Sequence, residues 1–188
     1  MRYLIVGIWL SVIVAGVTAS FAYPQALTPQ GIAGFLTRFQ GQIWLVYLAI
    51  SVLRGFTLLP STPLVIAGTL LFPGQPWSVL GVSIFGILIS STMIYFFSDV
   101  LGFTAYFENR KPELIHRIKR RLEHPTGFAF VAGWAFFPLV PTDLVCYVAG
   151  VTRMNYLLFI LAIFIGELIL CSAYIFFGNY LINNVGPA

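Results

Sequence analysis

Charge is scarce in this sequence: Lys, Arg, Asp and Glu make up 9% of 188 residues, ten basic and six acidic. A soluble domain carries about a quarter, so a water-soluble fold of this size lacks the polar surface it needs, and a large extramembrane domain is excluded. Cysteine is scarcer still, with two residues. Cys146 and Cys171 both lie inside apolar stretches and read as small buried hydrophobes rather than a disulfide or a metal pair. The two histidines, His116 and His124, fall in the one hydrophilic stretch, facing solvent or headgroups, away from any intramembrane nucleophile. No Gly-x-Ser-x-Gly elbow, phosphate-binding glycine loop or His/Cys ligand spacing is present. The expectation is a protein that is not an enzyme and takes no metal or cofactor. An aspartyl hydrolase built on Asp143 and Glu167 is the one nominal catalytic pair, and it is set aside.

What the chain does contain is apolar sequence, 59% of residues, with a mean hydropathy of +0.93. At about 20 residues per span, an integral membrane protein with a handful of crossings is expected. Residues 3–23 run without a charge behind Arg2 and read as a full span. A cleaved signal peptide competes, because the start is basic and small residues occur at Ala19, Ser20 and Ala22. Residues 24–42 are more polar, with apolar residues at Ile32, Phe35, Leu36 and Phe39. With Thr28 as cap and Pro29 in the first turn they predict a short interfacial helix. Residues 108–124 hold six of the ten cations, Arg110, Lys111, Arg117, Lys119, Arg120 and Arg121. This loop is aqueous and, by its basic residues, cytoplasmic. Behind Pro112, Leu114, Ile115, Ile118 and Leu122 recur at helical spacing, describing either a solvated connector or an amphipathic helix on anionic lipid headgroups. Nucleic-acid binding is discounted.

Between these landmarks the apolar segments are broken. Residues 43–59 are interrupted by Arg54 and end at Pro60-Ser61-Thr62-Pro63; residues 64–72 follow before Pro73-Gly74. A nine-residue helix rises about 14 Å against a hydrocarbon core of about 30 Å, so a re-entrant hairpin is predicted, its broken tip shielded by protein or water. Residues 79–97 then form a genuine span, with Ser78 as cap and Ser83, Gly86 and Ser90 as a small-residue packing stripe. The pattern returns in residues 128–150, broken at Pro138-Leu139-Val140-Pro141-Thr142-Asp143, followed by a last span over residues 156–177 that Gly178-Asn179 should stop. Pro60, Pro63, Pro138 and Pro141 are expected to make the breaks. One hairpin plus one span crosses the membrane once, so two copies must be inverted. The expected fold is thus all-α, about three full transmembrane helices plus two opposed re-entrant hairpins in an inverted repeat, with short amphipathic interfacial helices. The domain boundaries are residues 1–42 for the N-terminal span and interfacial helix and 43–188 for the membrane domain. Within the latter, repeat one is 43–98, the basic loop 99–125, repeat two 126–178 and the tail 179–188.

Three ionisable residues sit in apolar surroundings: Arg54, Asp143 and Glu167. A charge at a helix centre costs about 2.5 to 3.5 kcal/mol on insertion scales, so they must be paired, protonated or in a wet cavity. Arg54 is expected to face Asp143 or Glu167, either as a structural counter-ion or as a substrate contact. Thr62 and Thr142 open the short helices after each break, where helix N-termini favour an anion such as a lipid phosphate. Asp143 opposes a phosphate there unless Arg54 neutralises it, and its alternative reading is a cap for the helix from Leu144. Glu167 has no capping role and is the candidate proton carrier. Asp99 reads as interfacial. Broken segments in corresponding positions of two inverted halves point to a transport site between the tips.

From Leu53 to Gly178 the chain resembles the DedA/VTT-domain superfamily, also called SNARE-associated Golgi proteins. The residues that carry the resemblance are Leu53-Arg54-Gly55-Phe56, Leu59-Pro60, the Ala67-Gly68 arm, Phe137-Pro138-Leu139-Val140-Pro141-Thr142-Asp143 and Tyr147-Val148-Ala149-Gly150. The resemblance implies movement of lipids between leaflets, phospholipids or polyprenyl phosphate, with proton coupling in several members. Two positions depart from the family pattern: Ala135 and Asp99 stand where many relatives carry arginine. The expected function is lipid translocation of a scramblase or flippase kind. The alternatives are a proton- or cation-coupled carrier of a small solute, and a non-transporting scaffold. The expected partners are a membrane lipid, protons and anionic headgroups at the basic loop. A short, charge-poor chain suits a bacterial inner membrane, with the N-terminus and basic loop inside and the C-terminus outside.

Overall fold

A computed structural model of the chain describes residues 2–39, 41–101, 110, 112–138 and 140–185. Leu139 and much of the start of the basic stretch, residues 102–109 and Lys111, fall outside these. The described residues are helical throughout, with no strand. In order they form α1 (Arg2–Ala22), a 3-10 turn (Pro24–Leu27), α2 (Pro29–Leu36), α3 (Ile43–Leu53), a second 3-10 turn (Arg54–Thr57), α4 (Thr62–Leu71) and α5 (Pro76–Val100). Then follow α6 (Pro112–Glu123), α7 (Pro125–Phe136), α8 (Thr142–Val151) and α9 (Tyr156–Val185). Two of these, Pro76–Val100 and the Tyr156–Gly178 part of α9, are long and apolar enough to cross a membrane among the described residues.

Helix starts follow local chemistry. Thr28 caps α2, its Oγ1 accepting from the Gly31 amide at 3.1 Å, with Pro29 in the first turn. His124 plays the same part for α7: its ring accepts from the Thr126 amide, and Pro125 follows. The span α5 begins at Pro76, with Gln75 as its cap residue, so Ser78 lies within the first turn instead of capping it; the proline already supplies a preset φ and needs no amide partner. Helix α8 ends in a Schellman arrangement: Met154 N–H bonds Ala149 C=O, Arg153 N–H bonds Gly150 C=O, and Arg153 is left-handed at φ 49°.

Two boundaries, the first break and the end of the last helix, differ from the expectation, while the second break falls where it was expected. The first break opens at Arg54, before Pro60: the chain tightens into a 3-10 turn, Leu58 turns left-handed at φ 58°, and α4 starts at Thr62 with Pro63 in its first turn. Arg54 itself fastens the turn, donating from Nη1 to the Leu59 carbonyl at 3.0 Å while Thr57 Oγ1 donates to the Arg54 carbonyl at 2.6 Å. In the second break Phe137 is extended ahead of Pro138, as a residue before proline must be, and Pro141 immediately precedes α8. The last helix does not stop at Gly178-Asn179 but runs to Val185, through most of the expected tail. A helical glycine costs about 1 kcal/mol, less than leaving backbone groups unpaired in hydrocarbon, and no proline interrupts the run before Val185.

The packing pattern has an exchange symmetry. Helix α5 packs on α3 and on α8; α9 packs on α7 and on α4; α5 and α9 pack on each other. Each long helix therefore lies against the first arm of its own half and the second arm of the other. The expected stripe faces α3: Ser83 is hydrogen-bonded to Tyr47 at 2.7 Å, and Gly86 lies against Ser51. Helix α6 packs on α7, burying Ile115 and Leu122 and leaving Leu114 and His116 exposed. Helix α2 lies over α4, where Leu36 joins Tyr47 and Leu64 in a small core of their own. The surface is apolar as well as the core: Leu45, Trp77, Phe85, Leu157 and Ile169 are exposed, while Ser51, Ser83, Ser90, Asp143 and Glu167 are buried among apolar side chains. Both cysteines are buried and free.

Candidate functional site

The second 3-10 turn carries Arg54 inward, and the N-terminus of α8 carries Thr142 and Asp143 to meet it. Arg54 Nη1 donates to Asp143 Oδ2 at 3.2 Å, joining residues 89 positions apart; Arg54 is 7% exposed and Asp143 1%. The backbone of Gly55 passes so close that a Cβ there would touch Ser90 Oγ on α5 and come within 3.0 Å of Asp143 Oδ1. Glycine is what lets the turn at Arg54, α5 and α8 converge. Asp143 is the second residue of α8 and Pro141 stands at the cap position, without a side-chain cap bond, so the capping reading of Asp143 is replaced by the ion pair.

Beside this pair, Glu167 of α9 is fully buried. Its Oε1 accepts from Thr142 Oγ1 at 2.6 Å and its Oε2 from Cys171 Sγ at 3.8 Å. Thr142 and Asp143 are adjacent, so one turn of α8 holds both the ligand of Glu167 and the counter-ion of Arg54. The polar groups left over are Thr62 Oγ1, Ser90 Oγ and Arg54 Nε, buried without a hydrogen-bond partner among the described residues. The pairing obeys the rule that buried charge needs a partner; the orphan atoms mark where a polar guest would complete the set.

A cavity of about 610 Å³ reaches this cluster from one side, lined by Arg54, Leu59, Pro60 and Pro63 of the break and, opposite them, by residues of α2 and Arg38 beyond it. The volume falls in the range of small-molecule sites, and the lining is apolar except at the two guanidinium groups. The sequence reading placed α2 at an interface and assigned Arg38 no part. The available signal was that Arg38 is the one charge between Arg2 and Arg54.

The remaining predicted positions lie elsewhere. Asp99 is exposed and 3.9 Å from Arg153, a pair worth little at such exposure. Ala135 is fully buried, opposite Gly166 of α9. His116 and His124 are exposed on and after α6. Trp9 of α1 donates to the Tyr147 hydroxyl of α8 at 2.8 Å, a tie between distant segments that spacing alone did not disclose.

The VTT domain family matches residues 59–180, well over half of the chain, including Thr62, Asp143 and Glu167 but not Arg54 or Arg38. No curated protein and no solved structure matches the chain. With its two long apolar helices and the matched domain, this chain is a membrane protein and belongs to the VTT domain family, that of the DedA and SNARE-associated Golgi proteins.

Proposed function

We propose that the protein moves an amphiphilic lipid between the two leaflets of a membrane, the headgroup passing the Arg54 cluster. Members of the family are membrane proteins regarded generally as transporters or flippases; translocation of a lipid is the finer reading advanced here. The observation that carries it is the apolar cavity ending on a buried arginine at a helix break. A lipid needs such a combination, since its phosphate must meet a cation while its chains stay among apolar side chains. The exchange-symmetric packing supports the inverted-repeat arrangement, in which the two breaks meet near mid-membrane. In this reading residues 43–98 and 126–178 are the two repeats, joined by the basic loop and preceded by a third span, α1. The N-terminus and the basic helix α6 are cytoplasmic and the C-terminus is outside, in a bacterial inner membrane. Glu167, held by Thr142, is the group that couples movement to a proton. No catalysis is involved.

The test is leaflet exchange of fluorescent phospholipid and of polyprenyl phosphate in vesicles containing the purified protein. Exchange should exceed that of empty vesicles and fall at least tenfold, about 1.4 kcal/mol in the barrier, in Arg54→Gln. Glu167→Gln keeps an acceptor for Thr142, so it should fold normally and lose only the coupled component. The ion pair is also what a purely structural counter-ion would form. A protein without exchange for either lipid, with or without a proton gradient, is a scaffold or a solute carrier.

A further inference from the structure

We infer that the cavity selects lipids with a net negative headgroup, and that Arg38, from the segment outside the matched family domain, is the residue that reads the charge. The inference deepens the lipid-translocation reading and rests on it for the kind of molecule that fills the cavity. The wall facing the helix break is built by residues 26–38, which precede the family match at residue 59. It is held in place by Leu36, buried against Tyr47 and Leu64, and by the Thr28 cap.

Charge complementarity identifies the occupant. Two guanidinium groups line the cavity, and none of the residues lining it is acidic. Arg54 is balanced by Asp143, yet its Nε is buried and unpartnered, a donor left for an oxygen acceptor. Arg38 is exposed at the opposite wall and brings a further positive charge that no salt bridge among the described residues offsets. A phosphate accepts hydrogen bonds from guanidinium with matched geometry. A zwitterionic headgroup would bring an ammonium into the same cavity and find no carboxylate there. The remaining lining, Leu27, Ile32, Phe35, Ile50 and Leu64, suits acyl or prenyl chain and not a free ion. The occupant is therefore an anionic lipid.

The full chain in phosphatidylcholine nanodiscs is titrated with spin-labelled phosphatidic acid and, separately, spin-labelled phosphatidylcholine, reading the motionally restricted fraction. The wild type should prefer phosphatidic acid. Arg38→Gln, an exposed substitution with little bearing on folding, should reduce that preference about threefold to fivefold, as befits a partly solvated ion pair. Arg38→Lys should restore most of it. Equal binding of the two lipids, an unchanged preference in Arg38→Gln, or displacement of phosphatidic acid by millimolar inorganic phosphate would each overturn the inference. Leaflet exchange on the same preparations separates the two readings. Exchange that is equal for both headgroups and indifferent to Arg38→Gln removes the selectivity and leaves translocation. An Arg38-dependent preference without exchange removes translocation and leaves an anionic-lipid site.

Discussion

Removing Asp143 would leave the Arg54 guanidinium buried, bonded to the Leu59 carbonyl and without its ion-pair partner. Breaking a buried ion pair from one side costs about 3–5 kcal/mol, whereas replacing both partners by apolar residues is often neutral. Asp143→Ala should therefore lower thermal stability in detergent steeply, and the double variant Arg54→Met with Asp143→Leu should recover most of the loss while remaining inactive in leaflet exchange. A second substitution runs the other way. Arg153 holds a left-handed φ of 49°, a conformation that costs an L-residue roughly 1–2 kcal/mol, and its contact with Asp99 is exposed and long. Arg153→Gly should raise stability by about 1 kcal/mol, read as a higher unfolding temperature. The meeting of Arg54 with Asp143 was legible in sequence because isolated opposite charges in apolar segments have few other partners. Arg38 was not, because a single cation beside an amphipathic helix looks like ordinary solvated surface until the cavity behind it is visible.

At the scale of elements, close approach decides which glycines can change. A Cβ on Gly150 would collide with the Tyr95 carbonyl and Ser98 of α5, and one on Gly166 with the Ala132 carbonyl and Ala135 of α7, whereas nothing lies within 4 Å of one on Gly133. Overpacking costs about 1–3 kcal/mol, and glycine in a helix interior gives up roughly 0.5–1 kcal/mol relative to alanine. Gly150→Ala and Gly166→Ala should destabilise the protein, and Gly133→Ala should stabilise it, as measured by unfolding in detergent. Ala135→Arg should cost more than either, since Ala135 is fully buried between α7 and α9, which leave no room for an arginine. The start of α2 could be read from Thr28 and Pro29, which act through local geometry, whereas Pro63, expected to help make the break, lies in the first turn of α4. The end of α9 and the onset of the first break could not. Gly178 is outweighed by the need to keep a long helix bonded in apolar surroundings, and Arg54 turns the chain through Thr57 and Leu59, which carry no turn signal of their own, and through Asp143, distant in sequence.

Over the whole molecule, many large apolar side chains face outward although the core already holds its own, and Arg54, Asp143 and Glu167 are buried, so composition alone could announce a membrane protein while the pairing of helices stayed hidden. That pairing has a testable result. Since α5 lies against α8 and α9 against α4, each besides the first arm of its own half, each long helix is covered in part by the other half. Separately encoded halves, cut between α5 and α6, should accumulate only when expressed together and should co-purify. A half that is stable alone would show the crossed contacts to be dispensable. At the level of elements the crossed contacts exchange roles, the second arm of each half lying on the long helix of the other, so that prising the halves apart would bare apolar surface on both at once.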